Sequence, residues 1–378
     1  MSGSDSIQIR KASLTDLHDI WLLSKRFLPD CQGISYENFQ SLWRHRYVQN
    51  PLKLPDDCLG YVFTTLDGKV RGFFGIIPLR LQMRGKTLRA VASSSWVVDP
   101  EYRKHSLLLF QEFISKNKDD FLLVTTAGDV AAVVCEKFGA FEKVPIVDYE
   151  QRLIWWIYPK VAVQYKLKQK GAVYRFLSRE PFATALAFLI HVRSLLLRNR
   201  IVRKGQDNHV GRIARFGKET DQFLEKYKKQ FDIMHWRSAE FLNWRHLDIP
   251  STKGISYVFV SKNVRDEMNG YLVVRNLPPP EGYPGYWIVT DIMYDTSRSD
   301  IIGDLLYEAY ASAKEHGASL FEVFGFNRHI MNYCLQFQPH IKKRPHCTYW
   351  YKAPDEKTVA FCRTAAWWTS GIDGDSSL

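Results

Sequence analysis

Residues 88–116 read LRAVASSSWVVDPEYRKHSLLLFQEFISK, and the period of this stretch changes once. From Leu88 to Val98, β-branched, small and aromatic residues follow one another as in a strand. Asp99-Pro100 breaks the run, and Leu107, Phe110, Phe113 and Ile114 then recur on one helix face. A helix entered in this way presents unpaired N–H groups and a positive dipole end, which form an anion site.

Working outward, Tyr61–Thr65 and Val70–Leu81, with turn signals at Asp67-Gly68 and Arg84-Gly85, predict two more strands of an antiparallel meander. Before them stand a short strand at Gln8–Arg10 and a helix capped by Ser13 with Leu14, Leu17, Ile20 and Trp21 on one stripe. A second helix carries Phe39, Leu42, Trp43 and Tyr47. After the opening stretch come a buried strand at Phe121–Thr125 and a helix at Val130–Phe138 ending at Gly139.

The whole order returns in the second half. Strands are predicted at Arg212–Phe216, Tyr257–Ser261, Tyr271–Arg275, Tyr286–Tyr294 and Leu320–Phe324, and helices near Glu219–Phe231, Ala239–Arg245, around Leu305 and at Arg328–Gln336. Five anchors repeat in sequence: Trp43-Arg44-His45 with Trp244-Arg245-His246, Tyr61-Val62-Phe63 with Tyr257-Val258-Phe259, Gly72 with Gly270, Arg103 with Arg298, and Cys135 with Cys334. Their offsets are 201, 196, 198, 195 and 199, differing only by loop-sized amounts. The chain therefore reads as α+β, in two tandem domains, each a mixed, mostly antiparallel sheet flanked by helices. The expected boundaries are 1–150, a connector at 151–209, and 210–378.

Length agrees, since 378 residues exceed what one core organises. With 46% hydrophobic residues, 23 Phe, 19 Tyr and 11 Trp, the chain has ample surface to bury, which excludes a disordered or low-complexity protein. The six Cys form no C-x-x-C pair, so neither a disulfide framework nor a zinc knuckle is expected, and a reduced, cytoplasmic compartment fits. The first ten residues lack the apolar region of a secretory signal, and no run of about 18 apolar residues could span a bilayer. The eleven His show no H-x-x-x-H or E-x-x-H spacing, so no metal is expected.

The net charge of +12 is concentrated in one place. Between Gln151 and Lys204 there are twelve Lys or Arg against a single acid, Glu180, and the rest of the chain is balanced. The same segment carries Leu153–Tyr158 and, after Pro181, the apolar run Phe182–Ile190. Cations beside aromatics and aliphatics suit an element lying on an anionic membrane, and the twelve residues from Pro181 to Val192 are too few to cross one. The alternative is a basic connector whose apolar face packs against the two domains. RNA fits the long aliphatic runs less well.

The element order, with D-P-E-Y-R at Asp99–Arg103 and C-E-K-F-G-A at Cys135–Ala140, resembles the GNAT superfamily of acyl-CoA-dependent N-acyltransferases, over residues 5–150 and again over 210–352. The resemblance implies a V-shaped split between the fourth and fifth strands of each domain, into which pantetheine inserts, and a loop of pattern [Q/R]-x-x-G-x-[G/A] that cradles the pyrophosphate. The first copy reads Arg103-Lys104-His105-Ser106-Leu107-Leu108 and the second Arg298-Ser299-Asp300-Ile301-Ile302-Gly303, so neither is intact. Arg103 and Lys104 favour phosphate in the first copy and Asp300 opposes it in the second. Val97, Val98, Arg103, Lys104, His105, Ser106 and Leu107 are accordingly the expected cofactor-binding residues, for acetyl-CoA or another acyl-CoA.

Where the family often places a proton-donating Tyr, this sequence has Cys135, a candidate general acid or a small residue packing a helix on the sheet. Asp291 is the only carboxylate well inside either fourth strand and is the candidate base; Asp99 and Asp295, at strand ends, read as caps. His45 and His246 read as helix-face residues beside a packing Trp.

The leading expectation is an N-acyltransferase resembling the tandem proteins of bacterial surface-polysaccharide biosynthesis. Its acceptor would be an amine, such as an amino sugar of a surface glycan or of its lipid-linked precursor, reached at the inner face of the membrane. Two alternatives stay open. One is a Fem-type peptidyltransferase using aminoacyl-tRNA, which resembles this chain in its tandem lobes and cationic insertion; the other is an inactive scaffold that binds a partner. Trp367 and Trp368 are expected to cover the second domain's sheet edge.

Overall fold

The computed structural model describes residues 7–146, 149–160, 163–164, 167, 178–179, 182–196, 201, 208–250, 254–277, 285–343, 348–370 and 373. The first half contributes β1 (Ile7–Lys11), α1 (Leu17–Phe27), α2 (Tyr36–Trp43), β2 (Gly60–Thr65), β3 (Val70–Met83), β4 (Lys86–Val98), α3 (Ser106–Lys116), β5 (Phe121–Ala127), α4 (Asp129–Phe138) and β6 (Glu142–Lys143). Then come β7 (Gln151–Trp156) and α5 (Phe182–Leu196). The second half contributes β8 (His209–Ile213), α6 (Lys218–Tyr227), β9 (Ile233–His235), α7 (Ala239–Leu242), β10 (Ile255–Lys262), β11 (Met268–Leu277), β12 (Tyr286–Tyr294) and α8 (Ser299–Glu315). It ends with β13 (Leu320–Phe324), α9 (Arg328–Leu335), β14 (His340–Lys343), β15 (Thr348–Lys352), α10 (Glu356–Thr364) and β16 (Trp367–Trp368).

These strands form two mixed, mostly antiparallel sheets. One runs β1-β2-β3-β4-β5-β15-β6, with β9 on the end of β3 and β16 on β9; the other runs β14-β7-β13-β12-β11-β10-β8. In each, the meander expected from the sequence is present, and the last meander strand pairs in parallel with the strand that follows a helix, β4 with β5 and β12 with β13. A parallel neighbour needs a crossover, and α3 and α8 supply it. Helices cover the sheets with their apolar faces: in α3 Phe110 and Phe113 of the expected stripe are buried together with Leu109, while Leu107 and Ile114 are half-buried, and in α8 Ile301, Ile302, Leu305, Leu306, Ala309 and Ala313 are buried.

The sheets do not respect the boundaries expected at 150 and 210. β7, read as the aromatic start of the connector, lies in the second sheet between β13 and β14, with Leu153 opposite Val323 and Trp155 opposite Phe321. Leu153, Ile154 and Trp155 are all buried there, as in a strand covered on both faces, and not as in an interfacial helix with one face to solvent. Conversely, β15, from the far end of the chain, lies in the first sheet against β5. Each lobe thus borrows a strand from the other half. Part of the expected connector, including Lys166, Lys168, Lys170, Arg175, Arg198, Arg200, Arg203 and Lys204, lies outside the described residues.

The duplicated Trp-Arg-His sequences meet at the junction of the lobes. α2 and α7 each continue into a π-helical turn, Arg44–Val48 and Asn243–Leu247. Trp244 stacks on the His45 ring at 5.4 Å between centroids and donates its indole N–H to the His45 carbonyl at 2.9 Å. The motif packs one copy on the other, whereas the sequence reading placed it on a helix face within each lobe, and His45, Arg245 and His246 are buried at this junction.

Because β7 and β15 are exchanged, the lobes should unfold together. Trp155→Ala removes a buried ring whose N–H bonds the Phe337 carbonyl, and is expected to cost ~3–5 kcal/mol. Calorimetry should show one transition moved to lower temperature; two separated transitions would contradict the interlocking.

Candidate functional site

The parallel pairing of β4 with β5 consists of Ala90 with Phe121, Val91 with Leu122 and Ala92 with Leu123. Beyond these the strands run on, β4 to Val98 and β5 to Ala127, without pairing each other. Two local features part them. β4 is bulged against β3, where register shifts between Gly75–Ser94 and Phe73–Val97, and Ser95 adopts φ +49°. A bulge bends its strand and raises its twist, and a non-glycine residue at positive φ stores about 1–3 kcal/mol of strain. On the other side, β5 is held away by β15, with Val124 opposite Trp350 and Ala127 opposite Thr348. The two strands thus stop pairing after Ala92 and Leu123, at the place where the GNAT resemblance implies a split between the fourth and fifth strands.

Where the strands fork, the π-helical turn after α2 delivers two side chains. Arg46 donates from Nη1 to Ser95 Oγ at 3.0 Å, and the Tyr47 hydroxyl donates to Ser94 Oγ at 3.1 Å. Gly75 admits the Tyr47 ring, since a Cβ there would overlap it. Arg46 and Tyr47 were not among the candidates from sequence, and Ser94 and Ser95 stood out there only as the polar residues of the fourth strand. Their signal was local, a Ser run in a strand and an Arg-Tyr pair directly after the repeated Trp-Arg-His.

The expected cofactor residues form the adjoining wall. Asp99 accepts the Glu101 N–H at 3.3 Å and pairs with Arg71 at 3.4 Å, which starts a 3-10 turn, Pro100–His105, leading into α3. Arg71 also lies over the Tyr102 ring at 5.5 Å, so the D-P-E-Y-R phrase builds a rigid entry to the helix. Arg103 and Lys104 are exposed at this helix start, His105, Ser106 and Leu107 are half-buried, and Val98 is half-buried above a buried Val97.

The second lobe has the same fork but different contents. β12 pairs β13 from Tyr286–Leu320 to Val289–Val323 and then runs on to Tyr294. In that free run the Ile292 carbonyl accepts the Trp368 indole N–H at 3.0 Å, and the Trp368 ring packs on Phe231 and Tyr294. At the start of α8, Arg298 grips Asp300 through Nε at 3.2 Å and Nη2 at 2.5 Å, and Asn208 donates to Asp300 at 2.7 Å and Asp304 at 3.1 Å. Gly303, which matched the loop pattern, makes room for the Tyr333 hydroxyl. The chain's own carboxylates therefore occupy the anion position of this helix.

Neither expected catalytic residue, Asp291 or Cys135, stands in an open site. Asp291 is fully buried, and its oxygens accept from Arg237 Nε at 3.1 and 3.2 Å, the Tyr271 hydroxyl at 2.9 Å and the Ile292 N–H at 3.0 Å. Burial alone would push its carboxyl up, but the Arg237 guanidinium overrides this and holds it well below the usual carboxylate range. Arg237 also pairs with Asp373 at 3.2 Å, closing a buried cluster that ties β12 to the C-terminal tail. A carboxylate so saturated is a structural counter-ion and not a base facing an acceptor. Cys135 is also fully buried, on the α4 face toward the sheet in the cluster containing Phe110, Phe141 and Val134, and burial pushes its thiol up to about 12. It packs the helix on the sheet, and Cys334 is buried likewise in the second lobe. Val98 and Leu107 touch the same cluster as Cys135, whereas Asp291 belongs to the other lobe. Among the described residues, no group of three His, Cys, Asp or Glu is placed to hold a metal ion, and no helix is long and apolar enough to cross a membrane.

No family model matches the sequence, and no curated protein matches it. Solved structures match over nearly all of it. Saccharomyces cerevisiae N-myristoyltransferase with bound myristoyl-CoA is 13% identical, covering 93% of this chain and 81% of its own, with a TM-score of 0.54. A probable N-acyltransferase of Enterococcus faecalis is 12% identical over 91% of this chain and 72% of its own, with a TM-score of 0.56. A GCN5-related N-acetyltransferase of Anabaena variabilis is 10% identical over 93% and 73%, also at 0.56. At these identities the likeness is one of fold. The chain has a two-lobed GNAT fold.

Acid should weaken this structure in a defined window. Burial pushes His235 and His246 down to about 4, from an ordinary value of 6.5. Between those values the unfolded chain binds protons that the native chain refuses, so these two groups lower stability as pH drops through the window, and their share levels off below it, where carboxylates such as Asp291 take over the decline. The two together can account for several kcal/mol, at ~1.4 kcal/mol per pH unit each. Urea unfolding of His246→Gln should show a flatter decline between about pH 6.5 and about pH 4 than the parent; an unchanged slope would contradict the assignment.

Proposed function

We propose that the protein is an acyl-CoA-dependent N-acyltransferase that takes its acyl-CoA in the first lobe and has given the equivalent space in the second to structure. The observation that carries this reading is the contrast between two related clefts. One opens beside a helix start with Arg103 and Lys104 exposed, while the other has Arg298 committed to Asp300 and its strand capped by Trp368.

In this reading the extended amide-bearing arm of CoA lies between β4 and β5, along strand edges that do not pair with each other. Its phosphates meet the N-terminal end of α3, where helix dipole and side-chain charge act together. The thioester then reaches the fork. There the acceptor nitrogen attacks the carbonyl carbon, the C–N bond forms, the C–S bond breaks, and the thiolate leaves with the electron pair. Arg46 and Ser95, bonded to each other at 3.0 Å, supply donors beside the point where the carbonyl oxygen gathers charge. The proton lost by the ammonium passes to solvent.

The acceptor class in this proposal is an amine, with an amino sugar of a surface glycan or its lipid-linked precursor as the candidate suggested by the tandem architecture. The inactive-scaffold and tRNA-dependent readings make different predictions for ligand binding. CoA at 100 times its dissociation constant should stabilise the native chain by about 2.7 kcal/mol. The double variant Arg103→Ala/Lys104→Ala should bind it at least about tenfold more weakly, and Arg298→Ala should bind it as the parent does. Stabilisation by charged tRNA and none by CoA would replace the proposal, and equal loss from Arg298→Ala would move the site to the second lobe.

Arg46→Ala should lower turnover by ~100-fold with little change in CoA affinity. A loss of CoA affinity with turnover intact would remove Arg46 from the reaction centre.

A further inference from the structure

The first two turns of helix α5 are built inside out. Over residues 182–189 its buried side chains are Ala183 and Ala187, four residues apart, whereas Phe182, Leu186, Phe188 and Leu189 are 45%, 41%, 63% and 63% exposed. At helical spacing Phe182, Leu186 and Leu189 form one stripe, with exposed Ala185 beside it and Phe188 on its flank. A surface helix normally turns its large apolar residues to the core and its small or polar ones outward. Here the small face meets the protein and the large face meets solvent. Single exposed apolar residues are ordinary, but four within two turns make a patch.

The patch sits in the most basic part of the chain, since residues 157–204, after β7, carry eleven Lys or Arg against one acid. A second copy of the chain is a poor occupant, because a two-fold contact would bring two such segments together. An anionic lipid surface satisfies both features at once: apolar side chains enter the acyl region just below the head groups, and basic side chains meet the phosphates. Fifteen helical residues span ~22 Å, short of a ~30 Å hydrocarbon core, so the helix lies in the interface plane.

We propose that α5 docks the protein on an anionic membrane surface through Phe182, Leu186, Phe188 and Leu189. The proposal stands independently of the acyltransferase reading, though it would bring the first-lobe cleft to lipid-linked or lipid-borne molecules.

The test is flotation of the full chain with vesicles of phosphatidylcholine alone and of phosphatidylcholine and phosphatidylglycerol in equal parts. The chain should float with the anionic vesicles, at least about tenfold less with the neutral ones, and less again as salt is raised. Phe188→Asp and Leu189→Asp should each weaken binding about tenfold or more. Val264→Asp, at an exposed turn 91% accessible in the second lobe, should leave it unchanged. Far-UV circular dichroism matched to the parent shows that each variant is folded. Absence of flotation, equal binding to both vesicle types, or equal loss from Val264→Asp would overturn the proposal. So would light scattering showing a dimer that Leu189→Asp separates.

Discussion

Thr348, Trp350, Tyr351 and Lys352 of β15 lie opposite Ala127, Val124, Leu123 and Leu122 of β5. This pairing is the constraint from which the rest of the first lobe follows. A strand that departs from its neighbour exposes backbone groups on one edge, and it can do so only if the other edge is satisfied. β5 leaves β4 after Leu123 because β15 holds it on the far side, and β15 comes from the opposite end of the sequence. Cleft and interlock therefore have one origin, and the first lobe is incomplete without residues more than two hundred positions away.

The same topology in the second lobe has been put to another use. Its fork receives Trp368, its helix start holds Asp300 and Asp304, and behind it Arg237 joins Asp291 to Asp373. Buried charges of this kind are costly to form and more costly to break, since removal of one partner leaves the other uncompensated at about 3–5 kcal/mol. They fix the C-terminal tail against β12. Trp367 and Trp368, expected to cover the second domain's sheet edge, instead form β16 on β9 at the margin of the first sheet, where the other edge of β9 lies on β3. The two lobes thus differ at corresponding places: in the first β4 and β5 part beside an exposed helix start, and in the second the same place is filled by the chain's own side chains.

Much of this was legible in the sequence, because strand and helix periods are local. The switch at Asp99-Pro100, the stripes of α3 and α8 and the repeated Trp-Arg-His all mark what the structure contains. What was not legible depends on partners distant in sequence. Gln151–Trp156 adjoins a cationic segment and reads as interfacial until β13 and β14 are placed beside it. Asp291 looks like a lone strand carboxylate because its counter-ion Arg237 is 54 residues away, and Arg237 reaches its second acid 136 residues on. Gly303 looks like a phosphate-loop glycine because Tyr333, which needs the space, lies on a different helix. Arg46 and Tyr47 belong to a π-helical turn, a departure from the α period that no pattern of apolar residues announces.

Hydrogen exchange of the whole chain with and without coenzyme A measures the asymmetry of the two clefts directly. The account predicts slowed exchange at residues 93–98 of β4, 124–127 of β5 and 103–107 at the start of α3, with residues 290–294 and 299–303 unchanged. Slowing confined to the second set, or none in either, would contradict it.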